Sequence, residues 1–128
     1  MKSNNHLDGK KLLDIALRYH SLGNIKVALK YYQMCLDNDY KDSRIFINYG
    51  SICNQIGEID KSINLYNSCI KLYPECPEAY SNLANILIKL GDYNEAERLL
   101  SKSLKLKPDF PNSYFNLGIV LIKLGRLE

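Results

Sequence analysis

What this sequence lacks removes several classes of protein before any motif is sought. It has no long apolar run: no stretch approaches the ~18 apolar residues that cross a bilayer. Its opening, MKSNNHLDGKK, has no apolar centre of the kind a secretory signal needs. Neither sign of charge dominates, since 17 basic and 14 acidic residues leave a formal +3. Lys and Arg are spread along the chain, and the one close group (Lys102, Lys105, Lys107) has the spacing of a solvated helix flank. Neither nucleic acid nor a membrane is therefore an expected partner. The four cysteines (Cys35, Cys53, Cys69, Cys76) stand 18, 16 and 7 residues apart, which matches no zinc spacing, and only His6 and His20 could assist them. Reduced thiols, a cytoplasmic location and no metal are the expectation. Gly-rich phosphate loops, nucleophile elbows and paired catalytic carboxylates are also missing, which argues against an enzyme and against a cofactor.

What is present is an ordinary globular composition, with 46% apolar and 24% charged residues in a chain of 128. That length suffices to bury about two-thirds of the surface the unfolded chain exposes. Asparagine is common at 13 residues, beside much Lys, Ile and Tyr. This composition fits an AT-rich genome, so a single asparagine carries no functional reading by itself.

The informative feature is self-similarity. The segments LGNIKVALKYY, IGEIDKSINLY, LGDYNEAERLL and LGRLE align when shifted by 34 residues. Each opens on an apolar residue and a glycine: Leu22-Gly23, Ile56-Gly57, Leu90-Gly91, Leu124-Gly125. Upstream, Leu12, Phe46, Tyr80 and Tyr114 recur in phase, followed by Ile15, Tyr49, Leu83 and Leu117 and then by small residues, Ala16, Gly50, Ala84 and Gly118. A polar tail (1–8), repeats at 9–42, 43–76 and 77–110, and the first helix of an incomplete fourth (111–128) follow from this register.

Counted from each repeat start, positions 4, 7, 8 and 11 fall within one arc of a helix at ~100° per residue. After the glycine, which tolerates the positive φ of a tight turn, a second helical face carries Ile25, Ala28, Tyr32 and Cys35. Its equivalents are Ile59, Ser62, Tyr66 and Cys69, then Tyr93, Ala96, Leu100 and Ser103. Pro74 and Pro108 end two of these second helices. The pattern predicts pairs of antiparallel helices that approach closely at the small residues and bury their apolar faces only by stacking. Of the ten tyrosines, Tyr19, Tyr32, Tyr49, Tyr66, Tyr80, Tyr93 and Tyr114 fall on expected core positions. Cys35, Cys53 and Cys69 do so too, while Cys76 falls in a loop and His20 at a solvated helix end.

This succession of aromatic, Leu, Gly/Ala, Tyr, Gly, Ala, Phe/Tyr and Pro resembles the tetratricopeptide repeat family over residues 9–128. The third repeat is the best match (Tyr80, Leu83, Ala84, Gly91, Tyr93, Ala96, Pro108). The first departs, with Leu12 for the aromatic and Tyr40 for the proline, and the second has Ser62 for Ala. The resemblance implies an all-α, right-handed solenoid of about three and a half helical hairpins. It also implies that first-helix positions 2, 6, 9 and 13, which point away from the core, line a concave groove for another protein or peptide.

Those positions hold Lys10, Asp14, Leu17 and Ser21; Arg44, Asn48, Ser51 and Gln55; Glu78, Asn82, Asn85 and Lys89; and Asn112, Asn116, Ile119 and Lys123. The candidate peptide-binding residues are Asp14, Arg44, Asn48, Asn82, Asn85, Lys89, Asn116 and Lys123. Position 6 reads Asp14, Asn48, Asn82, Asn116, and a row of carboxamides can both donate to and accept from a peptide backbone without reading its side chains. The row is similar to the asparagine ladder of the O-linked N-acetylglucosamine transferase repeats, which holds substrate chains. A second grip of the family, the clamp on a chaperone's terminal carboxylate, needs Lys, Asn, Asn, Lys and Arg. Its places hold Leu13, Leu17, Asn48, Glu78 and Asn82, or, one repeat later, Ile47, Ser51, Asn82, Asn112 and Asn116. One match in five each time rejects it.

The last helix carries Phe115, Ile119, Val120, Leu121 and Ile122 with no amphipathic cap after it. A fragment of a longer protein, with self-association through this uncapped helix, is therefore expected. Two functions fit: a scaffold holding an extended segment of a partner, or the substrate-docking arm of an enzyme, a glycosyltransferase first, with its catalytic domain beyond residue 128.

Overall fold

A computed structural model describes residues 8–126. Of the expected polar tail only Asp8 is among them, and Leu127 and Glu128 lie outside the described residues. The described chain is seven helices without strands: α1 (Gly9–Ser21), α2 (Ile25–Asp37), α3 (Ser43–Gln55), α4 (Ile59–Leu72), α5 (Pro77–Leu90), α6 (Tyr93–Leu106) and α7 (Pro111–Lys123). Consecutive helices pair as α1 with α2, α3 with α4 and α5 with α6, and α7 packs on α6, giving the expected all-α solenoid.

Local chemistry sets the ends of these elements. The side chains of Asp8, Asn24, Asp42 and Asp92 accept from the first free backbone N–H groups of α1, α2, α3 and α6. Pro77 and Pro111 open α5 and α7, where a missing N–H costs nothing. In each hairpin turn the glycine of the repeat stands at φ between +73° and +86°, as Gly23, Gly57, Gly91 and Gly125.

The expected core positions are filled. Leu12, Ala16, Ala28, Tyr32, Cys35, Phe46, Tyr49, Cys53, Tyr66, Cys69, Tyr80, Leu83, Ala84, Ala96 and Leu100 are buried. The small residues act where the helices of a hairpin meet: a Cβ added at Gly50 would stand 2.7 Å from the Tyr66 ring. Ser62, in place of the usual alanine, donates from Oγ to the Gly50 carbonyl at 2.7 Å, so the buried hydroxyl is satisfied. At the next junction Ser103 donates to the Pro77 carbonyl at 3.1 Å and shares a 3.0 Å bond with Ser113 Oγ. Tyr40, where proline was usual, lies on Gly9, whose added Cβ would meet its ring at 2.4 Å.

The core is also wider than the four-position pattern. Positions 3 and 10 are buried as well, as Ile45 and Ile52 on α3, Ala79 and Ile86 on α5, and Ser113 and Val120 on α7. They form the face packed beneath the preceding hairpin, through α2 on α3, α4 on α5 and α6 on α7. On α1 the same places hold Lys11 and Arg18, both exposed.

Two core expectations are corrected. Tyr114 is 54% exposed rather than buried, and nothing lies within 4 Å of a Cβ placed on Gly118. Tyr80 and Ala84 at the same register are covered by α6, whereas among the described residues no second helix covers that face of α7. His20 is corrected in the opposite sense. It is half-buried, edge-on to Tyr32 with ring centres 5.9 Å apart, and its Nδ1 shares a 2.9 Å hydrogen bond with the Tyr32 hydroxyl. The last turn of α1 lies against the middle of α2, so the helix end meets a neighbour as well as water. Cys76 caps α5 and is half-buried, its Sγ 3.7 Å from Glu78 Oε1.

Candidate functional site

The first helices α3 and α5, and α5 and α7, touch directly, so their core-averted stripes run side by side. Lys10, Arg44, Glu78 and Asn112 at position 2, and Ser21, Gln55, Lys89 and Lys123 at position 13, are exposed along the two margins. Between them, Leu17, Ser51, Asn85 and Ile119 are half-buried, as are Asn48, Asn82 and Asn116, while Asp14 on α1 is exposed. The half-burial of the three asparagines means that the row is a floor rather than a solvated ridge.

What lies beneath that floor differs along the row. Asn48 lies near the Tyr32 hydroxyl and Asn82 near the Tyr66 hydroxyl, each phenol on the preceding second helix, and the Tyr32 hydroxyl is itself bonded to His20 Nδ1. Both phenols are pushed up to about 12, chiefly by burial, with the neighbouring amide pulling the other way. The corresponding place below Asn116 is Leu100, which has no hydroxyl. Asn48 and Asn82 therefore each neighbour a buried phenol, and Asn116 has none below it.

The stripe opens into a cleft of about 200 Å³ between α5 and α7, lined by Ser81, Asn82, Asn85, Phe110, Asn112, Phe115 and Asn116. Four residues of the expected groove stripe (Asn82, Asn85, Asn112, Asn116) converge there, all but Asn112 among the candidate peptide-binding residues. Four carboxamides face one space with no charged group among the lining side chains, and two phenyl rings wall it. Such a lining can pair with the N–H and C=O groups of an extended backbone and shelter one apolar side chain. Ser81, Phe110 and Phe115 were missed by sequence reasoning. Phe115 directly precedes the amide of position 6, and only the absence of a covering helix brings it to the cleft edge.

The other expected residues divide. Arg44 is turned back on the cap of its own helix, with Nη2 at 2.9 Å from Asp42 Oδ2 and Nε at 3.1 Å from Asp42 Oδ1. This two-pronged bond holds the Asp42 carboxyl below the usual carboxylate range and raises the guanidinium. Arg44 thus enters the groove as half of an ion pair. Lys89 and Lys123 are exposed on the margin beyond Asn85 and Ile119, and Asp14 lies a full hairpin away from the cleft. Leu13, at the place where the carboxylate clamp needs lysine, is buried. Among the described residues, no three His, Cys, Asp or Glu side chains gather as metal ligands, and no helix is long and apolar enough to cross a membrane.

Comparison with known proteins agrees with this architecture. Three family models match: a tetratricopeptide repeat over 43–76, a second over 65–98, and a TPR repeat over 84–125. No curated protein matches the sequence. Among solved structures, MamA is similar with a TM-score of 0.85 at 21% identity, over 93% of this chain and 70% of that one. The first TPR of Spaghetti (RPAP3), bound to the HSP90 peptide SRMEEVD, superposes with a TM-score of 0.84 at 19% identity, over 95% of this chain and 99% of that one. A tetratricopeptide repeat protein from Parabacteroides merdae gives 0.83 at 25% identity, over 95% of this chain and 48% of that one. These identities speak to the fold, and the family models speak to the repeat. Residues 43–125 of this chain are thus matched throughout by tetratricopeptide repeat models.

Proposed function

We propose that this chain is a protein-interaction scaffold that holds an extended segment of another polypeptide along the stripe of α1, α3, α5 and α7, without chemistry of its own. The observation that carries this reading is the uncharged cleft in which Asn82, Asn85, Asn112 and Asn116 face one another beside Phe115. A similar fold, the first TPR of Spaghetti, is occupied by a peptide, which supports a peptide as the class of ligand. The mode of grip differs, because Leu13 and Glu78 stand where a terminal carboxylate would need cations. Backbone amides of a mid-chain segment, rather than a charged end, are the expected target. The units 9–42, 43–76, 77–110 and the helix from 111 are the modules that space the amides evenly.

Four free cysteines, three of them buried, suit a reducing cytoplasm. The even row of amides also favours a second reading, in which these repeats are the docking arm of a larger enzyme of the O-linked N-acetylglucosamine transferase type. The downstream reading frame decides between the two.

The test is a double variant, Asn85→Ala with Asn116→Ala. It should leave helical content and melting nearly unchanged while weakening binding of a captured partner segment about tenfold or more. Unaltered affinity for a partner that competes with peptides at the cleft would remove the amide floor from consideration. Asn48→Ala with Asn82→Ala is the weaker probe, because each amide also lies beside a buried phenol whose surroundings the substitution would change.

A further inference from the structure

The joint between the second and third hairpins carries two thiols that neither the repeat nor the groove accounts for. It lies in the middle of the chain, between hairpins that are both complete. Counted from the repeat start, Cys69 holds position 27 and Cys76 position 34, and the same places hold Cys35 and Asp42 in the first repeat and Ser103 and Phe110 in the third. Position 27 is a buried small-residue place, so Cys69 by itself needs no further reason. Cys76 does: it is the N-cap of α5 yet makes no capping bond, whereas the Asp42 side chain at the equivalent place accepts from the Arg44 N–H. We propose that Cys69 and Cys76 are a redox pair, which a peroxide converts into one intramolecular disulfide across the α4–α5 joint.

Three observations support the pairing. The joint turns back toward the end of α4, with the Tyr73 N–H donating to the Cys69 carbonyl at 2.7 Å and the Cys76 N–H to the Tyr73 carbonyl at 3.1 Å. Cys76 also packs against the core cluster that contains Cys69. Burial pushes the Cys69 thiol up to about 12, and the neighbouring Cys76 thiol adds to the rise. Finally, the two differ in access. Cys69 is wholly buried, whereas Cys76 is half-buried and lines an open cleft of about 510 Å³ beside Leu72, Tyr73, Glu75 and Glu78. That asymmetry sets the order of events, because oxidation follows exposure and a neighbouring thiol then resolves the product. Peroxide transfers one oxygen to the Cys76 sulfur, giving a sulfenic acid and water. The Cys69 sulfur then attacks the Cys76 sulfur, the S–O bond breaks, and the hydroxyl leaves with the Cys69 proton as a second water. The two cysteines lose two electrons, and the peroxide gains them. The product ties the end of α4 to the start of α5. It also removes the S–H that donates to Glu78 Oε1 at 3.7 Å, which frees a carboxylate on the groove margin. A transient bond of this kind is the form that disulfides take in a reducing compartment.

The experiment treats the reduced 128-residue chain with hydrogen peroxide, quenches in acid, blocks the remaining thiols in denaturant and maps all four cysteines by mass spectrometry. A Cys69–Cys76 bond within one chain should form about tenfold or more faster than any oxidation of the buried Cys35 and Cys53, and dithiothreitol should reverse it. Cys69→Ser places at this position the residue that Ser103 already is in α6, and it should halt the reaction at a Cys76 sulfenic acid that dimedone traps. Cys76→Ser should abolish the disulfide and leave Cys69 a thiol. Circular dichroism reports whether each variant keeps its helices, and mapping of the unaltered chain decides if neither does. A Cys76 that stays a sulfenic acid in the unaltered chain, or bridges to a second chain while Cys69 remains a thiol, would overturn the proposal. So would oxidation of Cys35 or Cys53 as fast as Cys76, or four thiols left unreacted. The outcome is independent of the amide floor, which neither substitution touches.

Discussion

The two ends of this solenoid are built from the same repeat and present opposite surfaces. At the first end, Lys11 and Arg18 occupy the positions that Ile45 and Ile52 fill on α3, and α1 meets water with charges. At the other, α7 carries Tyr114, Phe115, Gly118 and Ile122 where α5 carries residues covered by its own second helix. A stacked repeat has two faces to bury, one toward the preceding hairpin and one toward its own second helix. Among the described residues the first of these faces is polar on α1, and the second is apolar on α7 as it is on α3 and α5. The lesson is that one periodic pattern encodes two independent interfaces, which can be switched off separately by a pair of side chains.

The largest effect that sharpens this contrast comes from alkaline pH. The two phenols raised to about 12, Tyr32 on α2 and Tyr66 on α4, are both buried beneath the first helix of the following hairpin. A folded value above the unfolded one means stability that is fully present below about pH 10 and is lost as pH rises toward about 12, roughly 2–3 kcal/mol for each phenol. Unfolding between pH 10 and 12, followed by circular dichroism beside phenolate absorbance, should therefore release these two tyrosines only with the fold. Early, independent titration of both would contradict the tight inner packing.

Next is a matched pair of substitutions at one register. Gly50→Ala places a methyl group 2.7 Å from the Tyr66 ring and should cost about 1–3 kcal/mol in a urea melt. Gly118→Ala meets open space and should stabilise α7 by roughly 0.5–1 kcal/mol, because glycine is a poor helix former. Equal effects at the two positions would erase the difference between inner and outer first helices.

The polar end can be converted to match the inner faces. Lys11→Ile with Arg18→Ile should change monomer stability within about 0.5 kcal/mol, as surface changes do. It should also open a head-to-tail route whose products grow beyond a dimer in light scattering. If assembly is unaltered, the charges on α1 are not what keeps that face free. The smallest effect on stability belongs to the groove. Asn85→Ala with Asn116→Ala should shift the melt by no more than about 0.5 kcal/mol while binding weakens, and a comparable loss of both would show the amides to be structural.

Much of this was legible in the residues. The 34-residue phase placed Gly23, Gly57 and Gly91 in the turns, and it put Tyr32, Tyr66, Cys35 and Cys69 inside, because helical spacing and positive-φ glycine are local properties. The amide row was legible too, as a face opposite the core. What escaped involves neighbours distant in sequence. Positions 3 and 10 carried their message in plain sight, Lys11 and Arg18 against Ile45 and Ile52, yet a four-position core pattern describes the hairpin alone and not the stack. Arg44 could be placed at the groove margin, but its turn back to Asp42 depends on the helix start. Phe115 joined the cleft and Tyr114 met solvent because of what does not cover α7.

The sequence by itself determined the hairpin, its period and the direction in which each side chain leaves its helix, since these follow from backbone geometry and from residues a turn apart. The tertiary structure alone decided which amides rest on buried phenols, which four of them share a cleft, and which apolar face stays open. Those outcomes depend on how one hairpin seats against the next, where exposure is a property of the neighbour rather than of the residue.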